Sequence, residues 1–334
     1  MQDVEVITEI AQAHDGSVGI LHSLIDALAN AGSKIIKFQM HIAEAESSKF
    51  DQFRNNFSKV DKTRFDYWKR MELTRDQWIE IKTHCERLGC EFLCTPFSVC
   101  AVEMLASMGI KRIKIGSGDV VNPILLENIA KLKIPMIISS GMSNFEELDQ
   151  AVSILKKGSK NIAVMQCSSD YPVAPEQWGL NLICELKGRY NLPIGLSDHS
   201  GTIYPSLAAV ALGADLIEVH GTFDRRMFGP DATSSLQIEE IEQLLKGVQL
   251  IRKSLNSPVS KTDISRYEHI RNLFGRTVSL RRSLTKGARL TFEDLEAAKP
   301  AGLGVPASDF GKILGRRTKY AISKGMFLKS DDFE

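Results

Sequence analysis

The sequence predicts a (β/α)8 barrel followed by a small β-rich domain, and three observations predict it. Eight short runs rich in β-branched residues alternate with eight stretches of helical apolar spacing before residue 255. That many strand–helix repeats in about 250 residues is the arithmetic of the barrel. No G-x-G-x-x-G follows the first run, which leads instead into His14-Asp15-Gly16-Ser17. A doubly wound open sheet would usually carry fewer strands and that glycine turn. The barrel is the better reading.

The strand candidates are 4–10, 34–40, 91–97, 112–118, 136–141, 162–168, 193–199 and 216–222. Each ends in Gly, Ser, Asn or Pro signals before a helical pattern begins. Helical spacing covers 17–32, 74–88, 98–108, 123–132, 144–156, 176–189, 202–213 and 237–254. One insertion breaks the rhythm. Residues 41–73 hold Phe50, Phe53, Phe57, Phe65, Tyr67 and Trp68 and read either as an aromatic cluster packed on the barrel or as a substrate cover.

We expect the barrel over residues 1–255, a polar linker over 256–270 and a separate domain over 271–334. That last segment carries 13 Lys and Arg against 7 Asp and Glu. The excess reads as a solvated surface or as an aid in collecting an anionic substrate. Its turns Lys286-Gly287 and Lys324-Gly325 each precede an apolar step and an acidic stretch, hinting at an internal repeat.

Composition narrows the function classes. The 334 residues carry 42 Lys and Arg against 41 Asp and Glu, too balanced to coat nucleic acid or an anionic membrane. No apolar run approaches the roughly 18 residues of a spanning helix, and the start lacks a signal-peptide pattern. Six cysteines without a C-x-x-C pair argue against a disulfide or zinc framework. The expectation is a reduced, cytoplasmic protein.

In a barrel enzyme the chemistry sits at the C-terminal strand ends. Those ends offer Glu9, Lys37, Gln39, Thr95, Phe97, Lys114, Ser117, Asp119, Ser139, Ser169, Tyr171, Ser197, Asp198, His199 and His220. A packed barrel interior needs nothing so polar. Lys37 and Lys114, with serines nearby, can bind a phosphate or carboxylate, or can instead neutralise Glu9 or Asp119. His199 and His220 end adjacent strands, about 4.8 Å apart in a sheet, so they can share a divalent ion or be structural. The other histidines, His41 among them, carry little signal, except that His14 sits in the first loop. Cys94 and Cys167 read as apolar filling.

The motifs ITEIAQAHDGS, KFQMHIAEAE, FLCTPFS, KIGSGD, IISSGMS, CSSDYPVAP, IGLSDHSG and FGPDA occur in that order, followed by KPAGLGVPASDF. With them the whole chain resembles the N-acetylneuraminate (sialic acid) synthase family, which carries a C-terminal antifreeze-like (SAF) domain. The resemblance implies condensation of phosphoenolpyruvate with the open-chain aldehyde of an N-acylated hexosamine such as N-acetylmannosamine. The products are a nine-carbon α-keto acid and phosphate, with C–O cleavage of phosphoenolpyruvate. It also implies a Mn²⁺ or Mg²⁺ ion on His199 and His220, and a domain-swapped homodimer. In that frame Lys114, Ser117, Ser139 and Ser197 grip phosphoenolpyruvate, while Lys37, Gln39, Thr95 and Phe97 line the mouth. Glu9 handles a proton, Tyr171 stands beside phosphate and sugar, and Asp231 lies near the sugar.

Four positions depart from the family pattern. Asp119 replaces a glutamate, Ser169 an asparagine, Ala13 the asparagine of the first loop, and Lys299 an arginine that reaches the partner's sugar site. They bear on the acceptor: 2,4-diacetamido-trideoxyhexoses, leading to legionaminic or pseudaminic acid, compete with N-acetylmannosamine. Two other readings exist. One is a Schiff-base pyruvate aldolase using Lys37 or Lys114; the other is a saccharide- or nucleic-acid-binding module on an inactive barrel.

Overall fold

The computed structural model describes residues 3–53 and 57–334. Residues 54–56 of the 41–73 insertion lie outside the described residues. The chain divides into two compact units, Met1–Ser257 and Pro258–Glu334.

In the first unit β1 (Glu5–Glu9), β2 (Ile35–Met40), β3 (Glu91–Pro96) and β4 (Ile113–Ile115) pair in sequence order and in parallel. So do β5 (Met136–Ser139), β6 (Ile162–Cys167), β7 (Ile194–Asp198) and β8 (Leu216–Thr222). The pairing of β1 with β8, Glu9 opposite His220, closes the barrel. Gly195 marks how tightly it closes: a Cβ there would meet the Leu216 carbonyl at 2.5 Å and Met165 Cε at 2.9 Å.

Strand periodicity divides the two cores. Ile36, Phe38, Cys94, Ile138, Val164, Ile217 and Val219 face outward and pack against the helices. Their neighbours Ile7, Ile35, Leu93, Ile137, Ala163, Met165 and Leu216 fill the barrel interior. Side chains alternate along a strand, so the next inward position after Ile7 is Glu9, and after Ile35 come Lys37 and Gln39. Leu93 is followed inward by Thr95, Ile137 by Ser139, and Leu216 by Glu218 and His220. The apolar plug therefore gives way, one layer higher, to a polar floor.

The surrounding helices begin at side-chain caps. Ser17 accepts from Ile20 N ahead of α1 (Val18–Asn30). The insertion contributes α2 (Ala43–Glu46) and α3 (Arg64–Met71), the latter opened by a Thr63–Asp66 capping box. A Thr74–Gln77 box opens α4 (Arg75–Arg87), Ser98 caps α5 (Val99–Ser107), and Asn122 caps α6 (Pro123–Ala130). An Asn144–Glu147 box starts α7 (Phe145–Lys156). The helix α8 (Asn181–Tyr190) starts later than the 176 expected, because Pro175–Gln177 forms a 3-10 turn first. After α9 (Tyr204–Ala211), the short β9 (Leu236–Gln237) pairs with β8 and leads into α10 (Ile238–Leu255).

The second unit takes in more than the expected 271–334. The stretch read as a linker forms a 3-10 turn, Ser265–Tyr267, and α11 (Glu268–Phe274) grows out of its end. Beyond it β10 (Thr277–Leu280) pairs antiparallel with β11 (Leu295–Ala298) over a core of Val278, Leu280, Leu284, Val305, Ile322, Leu328 and others. The internal repeat is real in the backbone. Gly287 and Gly325 both take positive φ, and Leu284 bridges Ile322. At the same offset Asp294 and Asp332 each accept from the backbone N–H three residues earlier, Thr291 at 2.9 Å and Lys329 at 2.6 Å.

Candidate active site

Four charged side chains form the polar floor. Lys37 Nζ lies 2.5 Å from Glu9 Oε1 and 3.5 Å from Glu218 Oε1, and Lys114 Nζ donates to the same Glu218 oxygen at 2.9 Å. Thr95 Oγ1 accepts from Lys37 at 3.3 Å, and Ser197 Oγ donates to Glu218 at 3.1 Å. All four charged groups are 3% exposed or less. Burial opposes the charge on Lys37, but Glu218 and Glu9 outweigh it and hold the ammonium above its usual range. Burial would likewise raise Glu9; Lys37, His220 and Lys114 hold it well below the usual carboxylate range. Glu9 is therefore held as a carboxylate.

These contacts give each lysine a carboxylate partner. Lys37 does neutralise Glu9. Lys114 pairs with Glu218, whereas Asp119 takes its hydrogen bond from Asn122 Nδ2 at 2.9 Å. Burial raises the Asp119 acid, the Asn122 bond opposes this, and Glu46 adds to the rise.

Beside the lysines sits a serine cradle. Ser117 Oγ and Ser169 Oγ approach to 3.4 Å, and Ser139 Oγ is buried without a hydrogen-bond partner among the described residues. Gly141, at φ +44°, makes room: a Cβ there would fall 1.9 Å from Ser117 Cβ and 3.1 Å from Ser169 Oγ. A larger residue would fill the cradle.

The two histidines lie side by side, ring centroids 5.2 Å apart. His199 Nδ1 meets the Ser168 carbonyl at 3.0 Å, which leaves Nε2 facing Tyr171 Oη at 3.2 Å. His220 Nε2 meets Glu9 Oε2 at 3.1 Å, and its Nδ1 is buried with no partner among the described residues. Among the described residues no group of three His, Cys, Asp or Glu forms a metal cage. An orphan imidazole nitrogen next to a second imidazole fits an ion that keeps open positions for substrate. Cys94 is inert filling, its thiol pushed up by burial. Cys167 departs from that expectation: its Sγ lies 3.9 Å from His199 Nδ1, which outweighs burial and lowers the thiol.

Above the floor opens a cavity of about 460 Å³ lined by Gln39, Phe97, Asp119, Tyr171, His220 and Asp231 among others. The insertion supplies one wall of it. Tyr67, Trp68 and Met71 are buried in their own cluster, while Phe53, Phe57, Tyr67 and Trp68 face the cavity. Arg70 fastens this wall to the first loop, at 2.6 Å from Asp15 and 2.8 Å from Asp61. Lys299 belongs to the second unit, where its ammonium lies over the Phe274 ring at 4.7 Å.

Sequence reasoning missed Glu218, Gln12, His41 and Glu46. Glu218 sits two residues before His220 and therefore shares its inward phase, a signal the EVH motif already contained. His41 is not a bystander. It stacks between Trp68 at 3.9 Å and Phe97 at 4.5 Å, just past the end of β2 and two positions beyond Gln39.

Comparison with known proteins agrees with this geometry. The NeuB family model matches residues 24–260 and the SAF domain model residues 275–334. The chain is 31% identical to N,N'-diacetyllegionaminic acid synthase of Campylobacter jejuni, over 95% of this chain and 96% of that one. It is also 31% identical to mouse N-acetylneuraminate-9-phosphate synthase, over 98% and 92%. A sialic acid synthetase from Leptospira borgpetersenii, solved with citrate, superposes with a TM-score of 0.71 at 32% identity, covering 80% of this chain and 90% of that one. A closed parallel barrel with two lysines and two glutamates on its floor, joined to a SAF domain, thus places the chain in the NeuB family of phosphoenolpyruvate-dependent nonulosonic acid synthases.

Proposed function

We propose that the chain condenses phosphoenolpyruvate with the open-chain aldehyde of an N-acylated hexosamine, N-acetylmannosamine first, to give N-acetylneuraminate and phosphate. The observation that carries this is the grouping at one end of the barrel of a lysine–glutamate floor, a serine cradle and paired imidazoles, with His220 of that group lining the cavity of about 460 Å³. A 2,4-diacetamido-trideoxyhexose acceptor is the second reading. The legionaminic acid synthase relative and the aromatic wall, suited to acetamido methyl groups, favour it.

In this reading Lys114, Ser117, Ser139, Ser169 and Ser197 hold the phosphate and carboxylate of phosphoenolpyruvate. Its methylene carbon bonds to the aldehyde carbon. Water adds to the adjacent carbon, the C–O bond to phosphorus breaks, and phosphate leaves an α-keto acid behind. Glu9, already a carboxylate, accepts the proton of that water. Asp119, whose acid form burial favours, supplies one to the developing alkoxide. Lys37 anchors Glu9 within reach; Gln39, Thr95, Phe97, Tyr171 and Asp231 shape the sugar side. A Mn²⁺ or Mg²⁺ ion held by His199 and His220 would polarise the aldehyde oxygen as a Lewis acid. Because Lys37 is held in its ammonium form, it is poorly suited to a Schiff-base aldolase.

We further infer a cytoplasmic homodimer in which Lys299 serves the partner's barrel. Six free cysteines suit a reducing compartment, and among the described residues no helix is long and apolar enough to cross a membrane. Exposed apolar side chains at the barrel rim, Val121, Ile124, Met142 and Tyr204, suit a covered interface. The function is tested by phosphate release from phosphoenolpyruvate and Mn²⁺ with a panel of amino sugars, products read by mass spectrometry. One acceptor should release phosphate and gain the pyruvyl unit. Release with none would contradict the proposal.

A further inference from the structure

We propose that Glu46 is a specificity-determining residue that binds the acceptor sugar directly, through a carboxylate oxygen held in place by His41. The proposal rests on the amino-sugar reading above. Glu46 ends α2, its side chain is 8% exposed, and it lines the same cavity as Gln39, Asp119 and His220. Its Oε1 meets His41 Nδ1 at 2.7 Å. Its Oε2 is buried and has no hydrogen-bond partner among the described residues. A buried carboxylate oxygen without a donor is costly unless a ligand supplies one. Sugars carry such donors, as hydroxyls and acetamido N–H groups.

The side chains behind Glu46 give that oxygen a fixed direction. A carboxylate can only accept, so His41 Nδ1 carries the hydrogen and its Nε2, which also lies 3.2 Å from Gln39 Oε1, accepts from Gln12 Nε2 at 2.9 Å. The second hydrogen of the same Gln12 amide goes to Gln39 Oε1 at 2.5 Å. Gln39 Nε2 in turn donates to Glu9 Oε1 at 2.8 Å. One continuous chain of hydrogen bonds therefore joins the cavity wall to the reacting floor. The stack between Trp68 and Phe97 stops the His41 ring from swinging. His41 is thus a positioning residue: it aligns Glu46 toward the sugar and Gln39 toward Glu9.

The test is steady-state kinetics of the full chain with phosphoenolpyruvate and the active acceptor. Glu46→Gln turns an amide N–H₂ toward the sugar donor, and kcat/KM for the acceptor should fall about 10- to 100-fold, the size of a charge-assisted hydrogen bond. KM for phosphoenolpyruvate should stay within about twofold. His41→Phe keeps the stack but removes the hydrogen to Glu46, and should show the same split; it carries the test if Glu46→Gln fails to fold. Among acceptors lacking single hydroxyls or the N-acyl group, one should cost the wild type that same factor, and Glu46→Gln should not distinguish it from the parent. An unchanged acceptor kcat/KM, or equal losses for both substrates, would overturn the role of Glu46 while leaving the synthase reading intact. A wild type that releases no phosphate with any amino sugar would overturn both.

Discussion

At the residue scale, the floor of the barrel is an exercise in charge compensation. Two lysines and two glutamates, each 3% exposed or less, are tolerable because every charge faces an opposite one within 3.5 Å. Lys114→Met should lower stability by about 3–5 kcal/mol, because it strips Glu218 of its shorter ion pair in a buried setting. It should also raise KM for phosphoenolpyruvate. Urea unfolding that moves by less than about 1 kcal/mol would mean that Lys37 compensates Glu218 unaided. Most of this floor was legible, since Glu9, Lys37, Gln39, Thr95, Lys114 and His220 all fall on strand ends. Glu218 was overlooked because EVH drew the eye to its histidine. The pairing of Lys114 with Glu218 was not legible for a different reason: sequence spacing brings Asp119 near Lys114, whereas barrel closure brings β8 across.

At the scale of elements, the eight strands and eight main helices followed from periodicity and caps, with ends shifted by a few residues. The insertion did not. Its aromatic content was plain, yet α2 and α3 are too short to show a period, and their partners come from elsewhere in the chain. Tyr67 is the centre of that cluster, 2% exposed and in ring contact with Phe53, Phe57 and Trp68. Tyr67→Ala should cost about 3–5 kcal/mol of stability and also raise the acceptor KM. Trp78→Ala, on α4 and packed on the helix side of the barrel at 2% exposure, should cost as much stability without that KM effect. Matching KM changes in the two variants would mean that the insertion stabilises without shaping the site. The end of the linker stretch carries the start of α11, which at seven residues is too short to show a helical period.

At the scale of the whole molecule, the barrel explains why one end carries the chemistry. An apolar plug of Ile7, Ile35, Leu93 and Leu216 closes the interior from below, so the polar layer above it opens in a single direction. The fold was legible because its two periods, 2 for strands and 3.6 for helices, are written along the chain. The connection from Glu9 through Gln39, Gln12 and His41 to Glu46 was not, since it depends on side-chain directions at the ends of β1 and β2 that no spacing in the sequence shows. The central claim is that this site joins phosphoenolpyruvate to a sugar aldehyde with C–O cleavage. Phosphoenolpyruvate labelled with ¹⁸O in its bridging position tests it most directly, by the mass of the phosphate released with the active acceptor. The account predicts that the label leaves with phosphate. Label retained in the keto acid, or pyruvate released in place of the nine-carbon product, would contradict it.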